Sequence, residues 1–481
     1  MRRALATVLV VALAGCSAAG SSDGAATPSD GPAGAPTTTE ALTFDDRPDD
    51  VADEVFADLG DPRIDVRSYD VDVRADPGDP RIEGEVTMAL APTGDDALRD
   101  FTLDLKGPEI TDASVDGEPA QVQAGDAEVV ITPAQPLLGG DEVEATFTYE
   151  GEPSQAPFPV FGITVGWQPD DEGGWFTMSE PAGTSSWVPC NDHPSDKATW
   201  RVTLDVPEDT EGISNGRLEG DGPEVADGRA RWTWSEDEPM ASYLVLAAVG
   251  DYDLVTADAD GVRTTYAFPT SLDERGRRGF DRTPEIVAWF AEQFGPYPAD
   301  DSGAIVVPTD LGVALEVQTR PLFGLDDTGA AVGALAHELA HQWFGDAVGP
   351  ERWDDLWLNE GFATYADWMW GEHDGGDTVD EEAARAHERQ GDTSIPVHDP
   401  QAAATFDFLI YEGGALVLHA LRHEVGDEAF FEILRRWVAE HRGSTATTAD
   451  FVALASDVAG RDLQELFTAW LDRAPLPDLP R

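Results

Sequence analysis

The first half of the chain contains short apolar segments in which hydrophobic and polar residues alternate. The stretches 64–75 (IDVRSYDVDVRA), 83–92 (EGEVTMALAP) and 230–235 (ARWTWS) show this two-residue period, which is typical of half-buried β-strands. Turn signals such as Asp116-Gly117 separate the segments, and helical periodicity is scarce. The pattern therefore predicts an all-β region that ends near residue 252.

The period changes in the second half of the chain. After a β-like stretch at 261–269, apolar residues recur at spacings of three and four, as on an amphipathic helix. The predicted helical runs are 283–294, 328–345, 354–370, 409–425, 427–441 and 463–474. We therefore expect an α+β multidomain protein, with an N-terminal β domain over 43–252 and a mainly helical domain over 253–481.

The amino terminus has the pattern of an export signal. Two arginines precede an apolar stretch at 5–14, which is too short to span a bilayer. It ends in Leu-Ala-Gly-Cys, which resembles the bacterial lipoprotein box, so cleavage before Cys16 would leave its thiol to carry the lipid. We expect a lipoprotein signal peptide at 1–16, a flexible tether rich in Ser, Gly, Ala, Pro and Thr at 17–42, and an extracytoplasmic protein anchored to the bacterial cell membrane through Cys16.

The charge balance restricts the possible partners. The chain has 30 Lys+Arg against 94 Asp+Glu, a formal net charge of -64, while 41% hydrophobic residues provide material for packed cores. Such an acidic surface repels phosphate backbones, so we expect no nucleic acid partner. A surface rich in carboxylates and poor in lysine also fits a protein that stays soluble in strong salt.

One short segment has the spacing of a metal site. In HELAH at 337–341, His337 and His341 lie one helical turn apart, so both imidazoles can bind one ion. After 18 further residues comes Glu360, at the start of a second predicted helix that could supply a third ligand. Two histidines and one glutamate leave a fourth position open, which is the arrangement of catalytic rather than structural zinc, and we expect one Zn²⁺ per chain.

Two carboxylates near these ligands have other predicted roles. Glu338 lies beside His337, where it would take a proton from the attacking water and pass it to the leaving amine. Asp367 follows Glu360 by seven residues on the same helix face, so it either orients a zinc histidine or is a solvated helix charge.

A second histidine pair has the same spacing. His419 and His423 also lie four residues apart on a predicted helix, but no further cluster of ligands accompanies them in the sequence. We expect these two to be ordinary helix residues.

The chain resembles the zinc aminopeptidases of the aminopeptidase N type, peptidase family M1, which are gluzincins. The resemblance rests on HELAHQWFGD at 337–346 followed by WLNEGFA at 357–363. It implies a saddle-like β domain followed by a thermolysin-like catalytic domain. Further similar segments, within a resemblance that covers roughly 60–475, are SSWVPCNDHPSDKATW at 185–200, VALEVQTRP at 313–321 and YEGGALVLHALR at 411–422.

The resemblance also implies roles for three more residues. Glu316 stands where the family has the glutamate of Gly-x-Met-Glu-Asn, which binds the free α-amine of the substrate. Glu180 matches a second amine-binding position, contributed by the β domain. Tyr411 matches the tyrosine that donates a hydrogen bond to the oxyanion when water attacks the carbonyl.

The chain departs from the family pattern around the substrate. Val313, Leu315 and Val317 replace the glycine, methionine and asparagine of the family motif, and Gly413 replaces a lysine. These changes put the side-chain preference of the first pocket in doubt. The chain continues for only about 140 residues after the HELAH segment, so we expect a short form without the large C-terminal helical domain of longer relatives.

The sequence thus predicts a lipid-anchored zinc aminopeptidase that hydrolyses the N-terminal peptide bond of peptides with a free amine. One alternative is a zinc endopeptidase with the same metal site. Such an enzyme would not need Glu180 and Glu316 to bind an N-terminal amine. Another is a non-catalytic, peptide-binding surface lipoprotein, for which loss of Glu338, Tyr411 or a zinc ligand would be typical. The preferred N-terminal residue, the physiological substrate and the oligomeric state are not determined by the sequence.

Overall fold

The computed structural model describes most of the chain, namely residues 53–157, 163–259, 262–329 and 334–480. The predicted signal peptide with Cys16 and the predicted tether lie outside the described residues. The exact domain bounds given above also stay predictions.

The first part of the described chain consists of β-strands joined by turns. Its strands are Ile64–Ala75 (β1), Ile82–Pro92 (β2), Phe101–Asp104 (β3), Glu109–Val115 (β4), Glu118–Pro119 (β5), Gln121–Ala124 (β6), Glu128–Thr132 (β7), Val143–Gly151 (β8), Gln155–Pro157 (β9), Thr164–Pro169 (β10), Trp175–Met178 (β11), Lys197–Pro207 (β12), Glu211–Ser214 (β13), Arg217–Leu218 (β14), Glu224–Ala226 (β15), Arg229–Ala241 (β16) and Ala247–Gly250 (β17).

These strands form three sheets within the described residues. The largest has nine strands in the order β14-β16-β12-β1-β2-β8-β4-β5, with β15 paired to β16. A five-stranded sheet has the order β13-β17-β11-β10-β9, and a three-stranded sheet has the order β3-β7-β6. The five-stranded sheet positions Glu180, because β11 ends two residues before it.

Strand β1 shows why the alternating pattern produces this architecture. It lies in the middle of the large sheet, parallel to β12 and antiparallel to β2. Its residues Val66, Val71 and Val73 are fully buried, whereas the polar residues between them face outwards, as the two-residue period requires. Cys190, which is buried and unpaired, belongs to the same core.

The second part of the described chain combines a small sheet with helices. Its strands are Tyr252–Ala259 (β18), Val262–Pro269 (β19), Asp301–Val306 (β20), Leu322–Phe323 (β21), Val348–Pro350 (β22) and Ser444–Ala446 (β23), of which β18-β19-β20-β21 form one sheet and β22-β23 another. Its α-helices are Glu274–Arg277 (α1), Thr283–Phe294 (α2), Leu335–His341 (α3), Trp357–His373 (α4), Val379–Gln390 (α5), Pro400–Thr405 (α6), Gly414–Val425 (α7), Asp427–His441 (α8), Thr448–Ala459 (α9) and Gln464–Leu471 (α10).

The predicted fold class is confirmed, since a β-rich domain precedes a mainly helical one. Helices α2 and α8 have the predicted bounds. The helix predicted over 328–345 was too long, because α3 ends at His341, where the chain turns so that the Phe344 carbonyl can reach the His341 ring. Helices α5 and α9 were not predicted; both begin with a capping box, at Thr378 and Thr447.

Arg320 and the partly buried Lys197 join the β domain to the helical domain. The Arg320 guanidinium, completely buried, donates to the backbone carbonyls of Ser214 and Gly216 and lies over the Trp234 ring. Lys197 donates to the Asp346 carbonyl, just beyond α3. These contacts hold the β domain beside α3, which carries the predicted histidine ligands. Within the described residues, no helix has the length and apolar character needed to cross a bilayer.

Candidate active site

The structure brings the three predicted metal ligands together. The Nε2 atoms of His337 and His341 lie 3.1 Å apart, and the Glu360 Oε2 atom lies 3.3 Å from the first and 3.5 Å from the second. Glu360 and His341 are 3% and 1% exposed, whereas His337 is 18% exposed and faces the cavity. Histidine ligands from α3 and a carboxylate from α4 therefore meet at one point.

This donor set fits a zinc ion. Ligands bound about 2.05 Å from a tetrahedral zinc lie about 3.3 Å from one another, which is the spacing of the three atoms. The Nδ1 atom of His341 donates to the Phe344 carbonyl at 3.0 Å, which leaves its Nε2 lone pair free for a metal. Burial favours protonation of Glu360, but His341 and His337 outweigh it and hold the pKa of this carboxyl at about 2.

A close approach of two helices places Glu360. A Cβ atom on Gly361 would lie 2.7 Å from the Cα atom of Gly414, so α4 and α7 touch through their backbones at this point. Gly414 follows Gly413, where the family pattern has lysine. The contact between Gly361 and Gly414 lets α4 lie close enough to α7 for Glu360 to reach the two histidines.

The two predicted amine-binding glutamates also reach this site. One carboxylate oxygen each of Glu180, Glu316 and Glu360 lies within 4.8 Å of the others. The Oε1 atoms of Glu180 and Glu316 are buried and make no hydrogen bond with any described residue. Burial raises the pKa of both groups, and for Glu180 the negative charges of Glu316 and Glu360 add to the shift. Two buried carboxylate oxygens without a hydrogen bond thus face the cavity, where a cation would neutralise the charge of both groups.

Gln342 is a positioning residue that the sequence did not reveal. Its amide Nε2 donates to the Glu316 carbonyl at 3.1 Å, and its Oε1 accepts from the Thr319 backbone N–H at 2.7 Å. Thr319 has a positive φ of 64°, a conformation that needs such support. Gln342 directly follows His341, so the zinc-ligand segment also holds the segment that carries Glu316. The position of Gln342 directly after the HELAH motif was the one sequence feature that could have identified it.

Glu338 and Tyr411 complete the group around the cavity. Burial raises the pKa of Glu338 to about 8, although His337 and His341 oppose the shift. A divalent ion beside Glu338 would favour its ionised form and make it a base. Burial, together with Glu360, holds the pKa of Tyr411 well above its usual value, so its hydroxyl stays a donor. Its ring lies parallel to that of His337, with centroids 6.1 Å apart.

Tyr411 stands on an unusual turn. Residues Leu409–Gly413 form a π-helical turn that leads directly into α7. Such turns occur frequently at functional sites because they redirect a side chain within a helix. The Arg389 Nε atom on α5 lies 2.9 Å from the Glu412 Oε1 atom, which ties the turn to a neighbouring helix.

Asp367 does not reach the metal ligands directly. Its carboxylate makes no hydrogen bond with the described residues, but it lies within electrostatic range of His337. Burial raises the pKa of Asp367 to about 6, against the effect of His337. Both predicted alternatives for Asp367, an orienting role and a solvated helix charge, therefore stay predictions.

Seven of the predicted residues line one cavity of about 280 Å³. They share carboxylate, imidazole or phenol groups that point inwards: Glu180, Glu316, His337, Glu338, His341, Glu360 and Tyr411. The remaining wall is apolar and includes Ile163, Val313, Leu315, Phe406 and Phe408. An open metal position, a base, a hydroxyl donor and paired carboxylates thus surround one space, as hydrolysis of an amine-terminated substrate requires.

Comparison with known proteins identifies the family of this chain. The family model for the peptidase M1 N-terminal domain matches residues 66–244, and that for the peptidase family M1 domain matches residues 322–470. The chain is similar to the M1 zinc metallopeptidase from Deinococcus radiodurans, with 30% identity, a TM-score of 0.83, and coverage of 90% of this chain and 99% of that one. The chain therefore belongs to peptidase family M1, whose metal in these structures is zinc.

Two further comparisons extend this result. A structure of a mutant of the Deinococcus radiodurans enzyme bound to a Tyr-Ser-Ala substrate matches with 31% identity, a TM-score of 0.83 and coverage of 90% and 99% of the two chains. Aminopeptidase M1-A from Oryza sativa subsp. japonica is 30% identical over 331 residues, which are 63% of this chain and 37% of that protein. The matched region thus spans little more than a third of the length of this curated relative.

Proposed function

We propose that this protein is a zinc aminopeptidase that removes the first residue of peptides with a free N-terminal amine. The observation that carries the proposal is the pair of buried, unpartnered oxygens on Glu180 and Glu316, beside the zinc ligand Glu360. One carbon atom separates the α-amine of a peptide from its first carbonyl carbon. A carboxylate clamp next to the metal ligands therefore selects the N-terminal bond.

The residues divide the reaction among them. Bound zinc supplies Lewis-acid polarisation of the carbonyl and lowers the pKa of water. Glu180 and Glu316 hold the ammonium and thereby fix the carbonyl in place. Glu338 accepts a proton from the attacking water and returns it to the leaving amine. Tyr411 donates its O–H to the oxygen on which negative charge develops.

The apolar cavity wall supports a preference for apolar N-terminal side chains. The part of the wall that would contact the first side chain of the substrate carries no charge, since it consists of Val313, Leu315, Phe406 and Phe408. A charged side chain would lose hydration there without compensation.

We also propose that the protein is extracytoplasmic and held at the membrane by a lipid on Cys16. Support comes from the apolar stretch that ends in Leu-Ala-Gly-Cys and from the Ser/Gly/Pro-rich segment after it. A Cys16→Ser variant should lack the lipid mass and should not be cleaved before residue 16. A native amino terminus other than a lipidated Cys16, found by mass spectrometry, would refute this anchor.

The proposed activity can be tested with matched pairs of peptides. Leu-, Phe- and Arg-terminated peptides are offered with free or acetylated N-termini, with and without a chelator. We expect zinc-dependent release of the first residue from peptides with a free N-terminus, and faster release of Leu and Phe than of Arg. Acetylation of the N-terminus should lower the rate of hydrolysis at least about 100-fold, because the carboxylate pair loses its cation.

Two outcomes would overturn the proposal. Efficient internal cleavage of acetylated peptides would show a zinc endopeptidase. Binding of peptides without any hydrolysis in the zinc-loaded protein would show a peptide-binding lipoprotein.

A further inference from the structure

We propose that Asp380, His419 and His423 form a second metal site, which takes a late first-row divalent ion such as Zn²⁺ and clamps α5 to α7. These residues do not line the catalytic cavity. His419 and His423 are the pair whose spacing resembles that of the HELAH segment. No third ligand for them is apparent in the sequence, whereas the fold places Asp380 beside them.

The three side chains converge on one point. The Asp380 Oδ1 atom lies 3.8 Å from the His419 Nε2 atom and 3.6 Å from the His423 Nε2 atom. The two imidazole rings lie 4.6 Å apart between centroids, close to the 4.7 Å of His337 and His341. The arrangement repeats the two-histidine, one-carboxylate donor set of the catalytic site on other helices.

The distances from Asp380 to the two histidines are slightly longer than those between ligands of a bound ion. The two distances to Asp380 exceed the ligand separation of about 3.3 Å at a tetrahedral zinc by about 0.3 to 0.5 Å. Asp380 is 78% exposed in the first turn of α5, so a change of its side-chain rotamer can close this gap. The His419 side chain is only 5% exposed and provides a fixed point.

The donor types select the class of ion. Two imidazoles suit Zn²⁺, Ni²⁺ and Cu²⁺, whereas Mg²⁺ and Ca²⁺ prefer oxygen ligands throughout. His423 is 34% exposed, so water can complete the coordination. The net charge of -64 also raises the local concentration of divalent cations.

A neighbouring tyrosine supports the buried histidine. The Tyr365 hydroxyl lies 3.4 Å from the His419 Nδ1 atom. When Nδ1–H donates to this hydroxyl, the Nε2 lone pair faces Asp380 and is free for a metal. Tyr365 belongs to α4, which carries Glu360, so an ion here would join three helices of the catalytic domain.

The nearby cation does not occupy this position. Arg422 lies between the two histidines in sequence, but its Nε atom pairs with the Asp427 Oδ1 atom at 2.8 Å. A different cluster, Asp354, Asp355 and His398, has only one imidazole, and Asp355 accepts from Thr448. The Asp380 cluster is therefore the better site for a late transition metal.

The test counts zinc in the full-length protein. Metal-free protein is dialysed against buffered micromolar Zn²⁺, and bound zinc is measured by mass spectrometry. We expect two ions per chain in the wild type and one in both His423→Ala and Asp380→Asn. His341→Ala should also retain one ion, and His341→Ala combined with His423→Ala should retain none.

Controls separate this site from the catalytic site and from a folding defect. His441→Ala, which changes a partly exposed helix histidine elsewhere, should still bind two ions. His423→Ala should keep kcat/KM within about twofold and lose the rise in Tm that the second equivalent of zinc gives the wild type. A wild type that binds one ion, or a His423→Ala variant that binds two, would overturn the proposal.

Discussion

The hydroxyl of Tyr411 offers the sharpest test of how this site stabilises a transition state. Its ring lies parallel to that of His337 at 6.1 Å, and its turn is held by the Arg389–Glu412 pair. In Tyr411→Phe the ring and these supports remain, so only the O–H donor is lost. Burial, together with Glu360, raises the pKa of Tyr411 above its usual value, which favours the protonated, donating form of its hydroxyl.

The expected effect follows from the energy of one donor to a developing oxyanion, about 3 kcal/mol in a site shielded from water. At about 1.36 kcal/mol per tenfold change in rate, kcat should fall about 150-fold. KM should change by less than about twofold, because the hydrogen bond forms in the transition state rather than in the bound substrate.

The assay measures kcat and KM with an apolar aminoacyl fluorogenic substrate, and bound zinc is counted for each variant. Tyr149→Phe is the matched control, since Tyr149 is fully buried in the large sheet and its hydroxyl makes no hydrogen bond with the described residues. This control should retain full activity. A loss in Tyr411→Phe below about threefold, or a loss confined to KM, would refute the oxyanion role.

The remaining predictions concern the base, the helix contact and the surface charge. Glu338→Gln should lower kcat by at least about 1000-fold while zinc stays at one ion in the catalytic site, as metal analysis would show, and substantial turnover would exclude Glu338 as the base. Gly361→Ala should push α4 from α7, destabilise the fold by about 1–3 kcal/mol in urea unfolding and weaken zinc binding. Gly371→Ala should have neither effect, because a Cβ atom there would meet no atom within 4 Å. Unchanged zinc affinity in Gly361→Ala would contradict the role of this contact. Tm should rise between 0.1 and 2 M NaCl, because a screening length of about 3 Å at 1 M removes most repulsion among surface carboxylates, and a flat or falling curve would argue against salt adaptation.

Helices α2 and α8 have a clear apolar stripe and were predictable, whereas α5 has no such stripe and was not predicted. Helices α2 and α8 follow from three- and four-residue periodicity alone. Helix α5 reads VDEEAARAHERQ, which has too few apolar residues to reveal its buried side. Its capping box at Thr378 was the local signal for its start.

The sequence by itself determined the metal-binding chemistry of this protein. His337 and His341 share a helix, and a four-residue spacing places their rings together whatever surrounds that helix. Glu360 was identifiable because it begins the next predicted helix, within the WLNEGFA segment that resembles the M1 family. The two-residue period likewise determined that the first domain is built of strands.

Only the tertiary structure decided what surrounds these ligands. Glu180 arrives from the β domain, and its meeting with Glu316 depends on contacts between residues distant in sequence, such as that of Arg320 with Ser214. Asp380 and His423 likewise become neighbours only because α5 packs near α7. Such contacts have no local signal, since they depend on which faces of separate elements pack together, and packing is a property of the whole fold.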